Sequence, residues 1–106
     1  MPRLLTALEI RKELRDLDGW KAQGKFITKT FEFGGFMEGI GFLNDIAKVA
    51  ENREHHPDIN VRYTTVRLSV QTHSEGGVTS RDIGLARAID RVSRTRRSKT
   101  KKQHDV

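Results

Sequence analysis

The feature that most constrains the fold of this chain is a change of hydrophobic period at Pro57. Before it, Phe36, Ile40, Leu43, Ala47 and Ala50 recur at four-and-three spacing, flanked by Phe42, Ile46 and Val49. That spacing predicts a helix over residues 35–54. After it, residues 59–63 and 66–72 form two short runs rich in strand formers. In the second, Val66, Leu68, Val70 and Thr72 fall on an apolar face, and Arg67, Ser69, Gln71 and His73 on a polar one. Proline donates no amide hydrogen and biases the preceding residue toward extended backbone, so His55-His56-Pro57 is a forced helix-to-strand junction. A hairpin joined near Thr64-Thr65 is expected, although that turn lacks the usual Asn-Gly or glycine signal. The alternation sends His73 toward the open face of the sheet.

The flanking segments complete the pattern. Leu4, Leu5, Leu8 and Leu14 have helical spacing, and Thr6 followed by Glu9 fits a capping box, so a helix from residue 6 or 7 to 17 is expected, ended by Gly19. Residues 20–22 read as a short strand, 23–25 as a turn, and 26–33 as a second strand with Ile27, Phe31 and Phe33 inward and Lys29 out of place among them. Thr79 is placed to cap a last helix whose apolar side is Ile83, Leu85, Ala86, Ala88, Ile89 and Val92, fraying past Arg94. The order α-β-β-α-β-β-α predicts an α+β fold, a four-stranded antiparallel sheet with helices packed on one face. One domain over residues 1–94 and a basic, disordered tail over 95–106 are expected.

Charge is concentrated at the end of the chain. Residues 1–90 carry 13 basic and 13 acidic side chains, whereas Arg91, Arg94, Arg96, Arg97, Lys99, Lys101 and Lys102 face only Asp105. A basic folded face for nucleic acid is therefore not supported; weak, nonspecific phosphate contact by the tail is the form such binding would take. There is no cysteine, which removes disulfides, thiol nucleophiles and cysteine-ligated metals. No apolar run approaches the roughly 20 residues that span a bilayer. Early acidic residues (Glu9, Glu13, Asp16, Asp18) argue against a targeting peptide. A soluble, cytoplasmic protein with no membrane contact is expected.

Chemistry gathers between Glu51 and Asp82, which hold three of the four histidines. Glu51 and His55 are four residues apart on one helix face, where a carboxylate can orient an imidazole. His56 points elsewhere and is pinned by Pro57. Together with His73 they supply groups whose ordinary pKa near ~6.5 suits proton transfer at neutrality. The plain alternatives are a solvated helix-end pair and an unremarked strand-end histidine. A metal site is disfavoured, because His-Glu-x-x-His spacing is absent. Trp20 and Tyr63 could offer a flat surface to a ring-shaped ligand, with core packing the alternative for Trp20. His104, in the tail, is expected to be inert.

The pattern Glu51-x-x-x-His55-His56-Pro57, then Tyr63, Thr72-His73 and Asp82, resembles that of the pterin-4a-carbinolamine dehydratases. Gly19-Trp20, Phe31-x-Phe33-x-x-Phe36 and Gly76-Gly77-Val78-Thr79 extend the resemblance over about residues 4–92. It implies dehydration of 4a-hydroxytetrahydropterin to quinonoid dihydropterin and water, in support of tetrahydropterin recycling, with no metal or organic cofactor. It implies that His55, His73 and His56 are the catalytic residues, with His55 and His73 as the acid–base pair and His56 chiefly positioning substrate. It also implies that His56, Tyr63, Thr72 and Asp82 contact substrate, and that Glu51, Pro57 and Asp82 support the imidazoles. A homodimer or homotetramer and a functional link to an aromatic amino acid hydroxylase are also implied. The alternative is a non-catalytic dimerisation, coactivator or assembly-factor module on the same scaffold. Ile59 and Thr64 depart from the family pattern, which bears on pocket shape and on the preferred pterin.

Overall fold

The computed structural model describes the backbone of residues 2–104 and the side chains of residues 2–96. The elements are α1 (Ala7–Leu14), β1 (Lys21–Gln23), β2 (Phe26–Glu32), α2 (Phe36–Arg53), β3 (Asp58–Arg62), β4 (Thr65–Val70) and α3 (Ser80–His104), with a single 3-10 turn at His73–Glu75. The four strands form one sheet in the order β1-β2-β4-β3, and every neighbouring pair is antiparallel. This is the expected α+β arrangement.

Local signals set the helix ends. The Thr6 hydroxyl accepts the Glu9 amide (3.1 Å) and the Glu9 carboxylate accepts the Thr6 amide (2.9 Å), which closes the predicted capping box. Arg3 adds two further bonds to that carboxylate. The guanidinium of Arg3, with the Thr6 amide, holds the Glu9 carboxyl down at about 2. α1 is shorter than expected: it ends at Leu14, and the chain continues in tight turns that bury Leu17 and Trp20. α3 is capped by Thr79, whose hydroxyl accepts the Arg81 amide.

The core lies between the sheet and the two long helices. Ile27, Phe31, Val66, Leu68 and Val70 from β2 and β4 meet Phe42 and Ile46 of α2 and Leu85, Ala86 and Ile89 of α3. Lys29 does point inward with this set, and it is matched: its ammonium bonds Asp90 Oδ1 at 3.0 Å, and the same oxygen accepts the Trp20 indole N–H at 2.9 Å. A buried carboxylate shared by two donors makes that inward lysine tolerable. Trp20 is thereby a core residue and offers no face to a ligand. On the opposite face, Arg67 bonds the Thr28 hydroxyl and the Gln23 side-chain carbonyl, leaving a polar sheet surface.

The hairpin differs from expectation by about a residue. β3 ends at Arg62 and β4 begins at Thr65, so the connection is Tyr63-Thr64. Tyr63 itself takes the left-handed conformation (φ 52°) that a glycine or asparagine would normally supply. The Phe33 amide donates to the Thr64 carbonyl at 2.9 Å and anchors the turn to the end of β2.

At the C-terminal end, Thr95 and Arg96, expected to begin the tail, are helical. The Thr95 hydroxyl bonds Arg91 O, and Arg96 pairs with Asp45 of α2 at 2.8 Å. The side chains of 97–104 and all of 105–106 lie outside the described residues, and with them most of the basic tail and the His104 side chain. No helix among the described residues is long and apolar enough to cross a membrane.

Candidate active site

The end of α2 aims the first histidine. Glu54 adopts φ 51°, and the His55 amide donates back to Ala50 O while the Glu54 amide donates to Glu51 O. This is the double bond pattern that closes a helix with a left-handed residue, here glutamate where glycine is usual. The Arg81 guanidinium bonds the Glu54 carbonyl at 3.0 Å and ties this corner to the start of α3. The reversal directs His55 inward toward α3 and leaves His56 outside.

His55 Nε2 lies 2.6 Å from Asp82 Oδ1, in a pair whose carboxylate is fully buried. Asp82 Oδ2 accepts the Thr72 hydroxyl (2.9 Å) and the Thr79 amide (2.8 Å). The Thr72 and Thr79 hydroxyls are 2.7 Å apart. With Thr72 donating to Asp82, Thr79 donates to Thr72 and accepts the Arg81 amide, so every hydroxyl proton in the cluster has one consistent direction. An ionised carboxylate only accepts, so His55 donates through Nε2, and its neutral form turns the Nδ1 lone pair outward. Nδ1 makes no hydrogen bond among the described residues and is not a buried orphan, so it reaches solvent.

Glu51 serves a different histidine from the one its spacing suggested. Its carboxylate lies 2.5 Å from His56 Nε2 in an exposed pair, and it makes no hydrogen bond or ion pair with the His55 side chain. The four-residue rule presumes that the helix continues through residue 55, whereas α2 ends at Arg53.

His73 is not on a strand. β4 stops at Val70, and Thr72 pairs with Gly77 across a tight loop whose Gly76 has φ 75°. His73 opens the 3-10 turn inside that loop; its carbonyl accepts the Gly76 amide, and its exposed side chain makes no hydrogen bond or ion pair among the described residues. Its backbone neighbour Thr72 is buried at 2% and shares Asp82 with His55. The fold therefore brings His55, Thr72 and Asp82 into one cluster, with His56 and His73 as immediate chain neighbours of its members.

Tyr63 is the site candidate left outside. It is 75% exposed and sits at the far end of β3 from Pro57. Strand rise puts about 17 Å between the Asp58 and Tyr63 backbones. Pro57, half-buried, leads into β3 beside the polar sheet face, where a concavity of about 320 Å³ is bordered by Asp58, Asn60, Arg67 and Gln71. Among the described residues, no three His, Asp or Glu side chains are grouped to hold a metal ion.

The site residue that the sequence left in a minor role is Thr79. Read as a helix cap, it also completes the hold on Asp82, and its three-residue spacing from Asp82 was the available signal.

Comparison with known proteins places these features in context. The protein family described as Pterin 4 alpha carbinolamine dehydratase matches residues 3–92. A protein of Sulfurisphaera tokodaii with the provisional name pterin-4-alpha-carbinolamine dehydratase is 42% identical over 83% of this chain and 95% of its own. One from Roseiflexus castenholzii, with the same provisional name, is 45% identical over 87% of this chain and 99% of its own. Among solved structures, the transcriptional coactivator/pterin dehydratase of Brucella melitensis superimposes with a TM-score of 0.82 at 38% identity, covering 85% of this chain and 98% of that one. A pterin dehydratase-like protein described as a RuBisCO assembly factor of the alpha-carboxysome shares the fold at a TM-score of 0.57 and 23% identity, over 69% of this chain and 84% of its own.

Proposed function

This chain belongs to the pterin 4 alpha carbinolamine dehydratase family, and from that premise we propose that it is a hydro-lyase converting 4a-hydroxytetrahydropterin to quinonoid dihydropterin and water. The observation that carries the proposal is the buried His55–Asp82–Thr72 cluster, which holds one imidazole in a defined tautomer with its second nitrogen open to solvent. The reaction asks for little more. One proton must reach the departing C4a hydroxyl and one must leave ring nitrogen N5 as the C4a–N5 double bond forms, with the ring held still.

In this reading His55 removes the N5 proton through Nδ1. Asp82 keeps the imidazole oriented and stabilises the imidazolium that forms. His73, held by no side chain, delivers a proton to the leaving hydroxyl. His56, fixed by Glu51, hydrogen-bonds the ring. Thr72 and Pro57 shape the corner from which the histidines project. The reading calls for no metal or organic cofactor, a cytoplasmic homo-oligomer and a functional link to a pterin-dependent aromatic hydroxylase.

The second reading is a non-catalytic interaction module, suggested by the coactivator and assembly-factor descriptions of the two structural neighbours. Turnover of chemically generated 4a-hydroxytetrahydropterin by the purified chain separates the two. Decay of the carbinolamine well above the uncatalysed rate is expected, and decay at that rate alone rejects the enzyme.

A further inference from the structure

The His73 imidazole has no hydrogen-bond or ion-pair partner among the described residues, so the backbone of its loop alone sets its direction. That backbone is pliable toward its end. Gly76 and Gly77 adjoin, Gly76 takes φ 75°, and a side chain on Gly76 would meet open space. Glycine restricts its own backbone less than any other residue, so neighbours must supply the restraint. On the inner side Asp82 does so: its Oδ2 accepts both the Thr72 hydroxyl and the Thr79 amide, at the two ends of the loop. The outer side is held by a different part of the chain.

Residues 3–5, which belong to no helix or strand, run along that outer side. The Leu5 amide donates to Val78 O at 2.9 Å, and the Leu5 side chain packs against the core. Leu4 Cδ2 lies 2.9 Å from where a Cβ on Gly77 would stand, so the leucine methyl fills the space that a side chain would take. Gly77 is buried, while Leu4 itself remains 48% exposed. Leu4 therefore covers the loop without being a core residue. Gly77 in turn closes the loop, its carbonyl accepting the Thr72 amide at 2.8 Å. The segment is clasped to α1, because the Arg3 guanidinium bonds both Glu9 carboxylate oxygens, at 2.8 and 2.7 Å, and Leu4 O at 3.3 Å.

We propose that this N-terminal segment positions His73 for proton delivery, through the seat of Leu4 on Gly77. Leu4 is a positioning residue: it acts through Gly77 and the Thr72–Gly77 bridge, whose Thr72 is the chain neighbour of His73. A proton donor works only within hydrogen-bond reach of its acceptor, and a displacement of about 1 Å can cost 10²-fold in rate. The hold of the segment on the loop stands on the geometry alone; its consequence for turnover rests on the dehydratase reading above.

Two substitutions at one position test the seat. Leu4→Ala removes the cover, and Leu4→Met replaces it with a flexible side chain of similar size. The alanine variant should lose roughly tenfold in kcat with KM unchanged, as expected when an interaction made only in the transition state is lost. The methionine variant should regain most of that loss. Leu8→Ala removes a comparably exposed leucine from α1 and should keep native turnover.

Hydrogen exchange reads the loop without reference to activity. The Glu75, Gly76 and Gly77 amides all donate to Thr72 O. Their exchange should quicken roughly tenfold in Leu4→Ala, while the amides of α2 and α3 exchange as in the native chain. Unchanged exchange at those three amides, or faster exchange throughout the protein, overturns the hold of the segment on the loop. A loosened loop with native kcat, a change confined to KM, or a loss that Leu4→Met does not recover overturns the positioning of His73. If the native chain turns over no carbinolamine, the dehydratase reading fails and the role in proton delivery with it, while exchange still decides whether the segment holds the loop.

Discussion

His55 Nε2 and Asp82 Oδ1, 27 residues apart in sequence, lie 2.6 Å from each other with the carboxylate at zero exposure. That contact joins the end of α2 to the start of α3, and through Thr72 it reaches the loop that carries His73. Asp82 is consequently both a folding element and a director of chemistry, and the two roles can be separated. Asp82→Ala leaves the Thr79 amide, the Thr72 hydroxyl and His55 Nε2 without their acceptor. It should cost on the order of 3 kcal/mol in urea unfolding. Asp82→Asn keeps the shape and most of the stability but removes the charge that favours the imidazolium. Its turnover should fall by ~10²-fold or more at neutral pH. An Asn variant with normal turnover would show that His55 acts without help from Asp82.

Glu54 closes α2 in a conformation that glycine adopts without steric cost. Glu54→Gly should therefore leave the His55 geometry intact and stabilise the protein by up to about 1 kcal/mol, read as a raised denaturation midpoint. A destabilised variant would mean that the glutamate side chain itself holds the corner.

Glu9 predicts an acid-side signature. Its carboxyl is held at about 2, below the ordinary value of 4.5, chiefly by Arg3 and then by the Thr6 amide. A lowered folded-state value means that the stabilisation is fully present above the ordinary value. It is lost as pH falls from about 4.5 through about 2. Thermal melts of the native chain and Glu9→Gln should differ by a constant amount above pH ~5 and converge as pH approaches 2. A difference that grows on acidification would contradict the assignment.

Much of this was legible because it is local. Thr6 with Glu9 and Thr79 with Asp82 obey short-range capping rules, and the sequence alone places both helix starts. The period change at Pro57 places α2 and the β3–β4 hairpin within a residue or two. What escaped depends on partners far away or on backbone that side-chain spacing does not report. Lys29 looked misplaced because its partner Asp90 is 61 residues distant. Helical spacing gives Glu51 to His55 only if the helix continues through residue 55, whereas a left-handed Glu54 ends it and hands Glu51 to His56. Alternation alone continues the strand to His73, whereas the Gly76–Gly77 loop draws Thr72 out of the ladder and into an isolated bridge with Gly77. Tyr63 shared a motif with the histidines yet stands a strand's length from them.

The central claim is that His55 and His73 move the two protons of carbinolamine dehydration. Turnover of 4a-hydroxytetrahydropterin by His55→Ala/His73→Ala tests it most directly, alongside a circular dichroism spectrum to verify the fold. The account predicts a folded protein whose turnover has dropped to the uncatalysed background; a folded double variant that dehydrates the carbinolamine as fast as the native chain would contradict it.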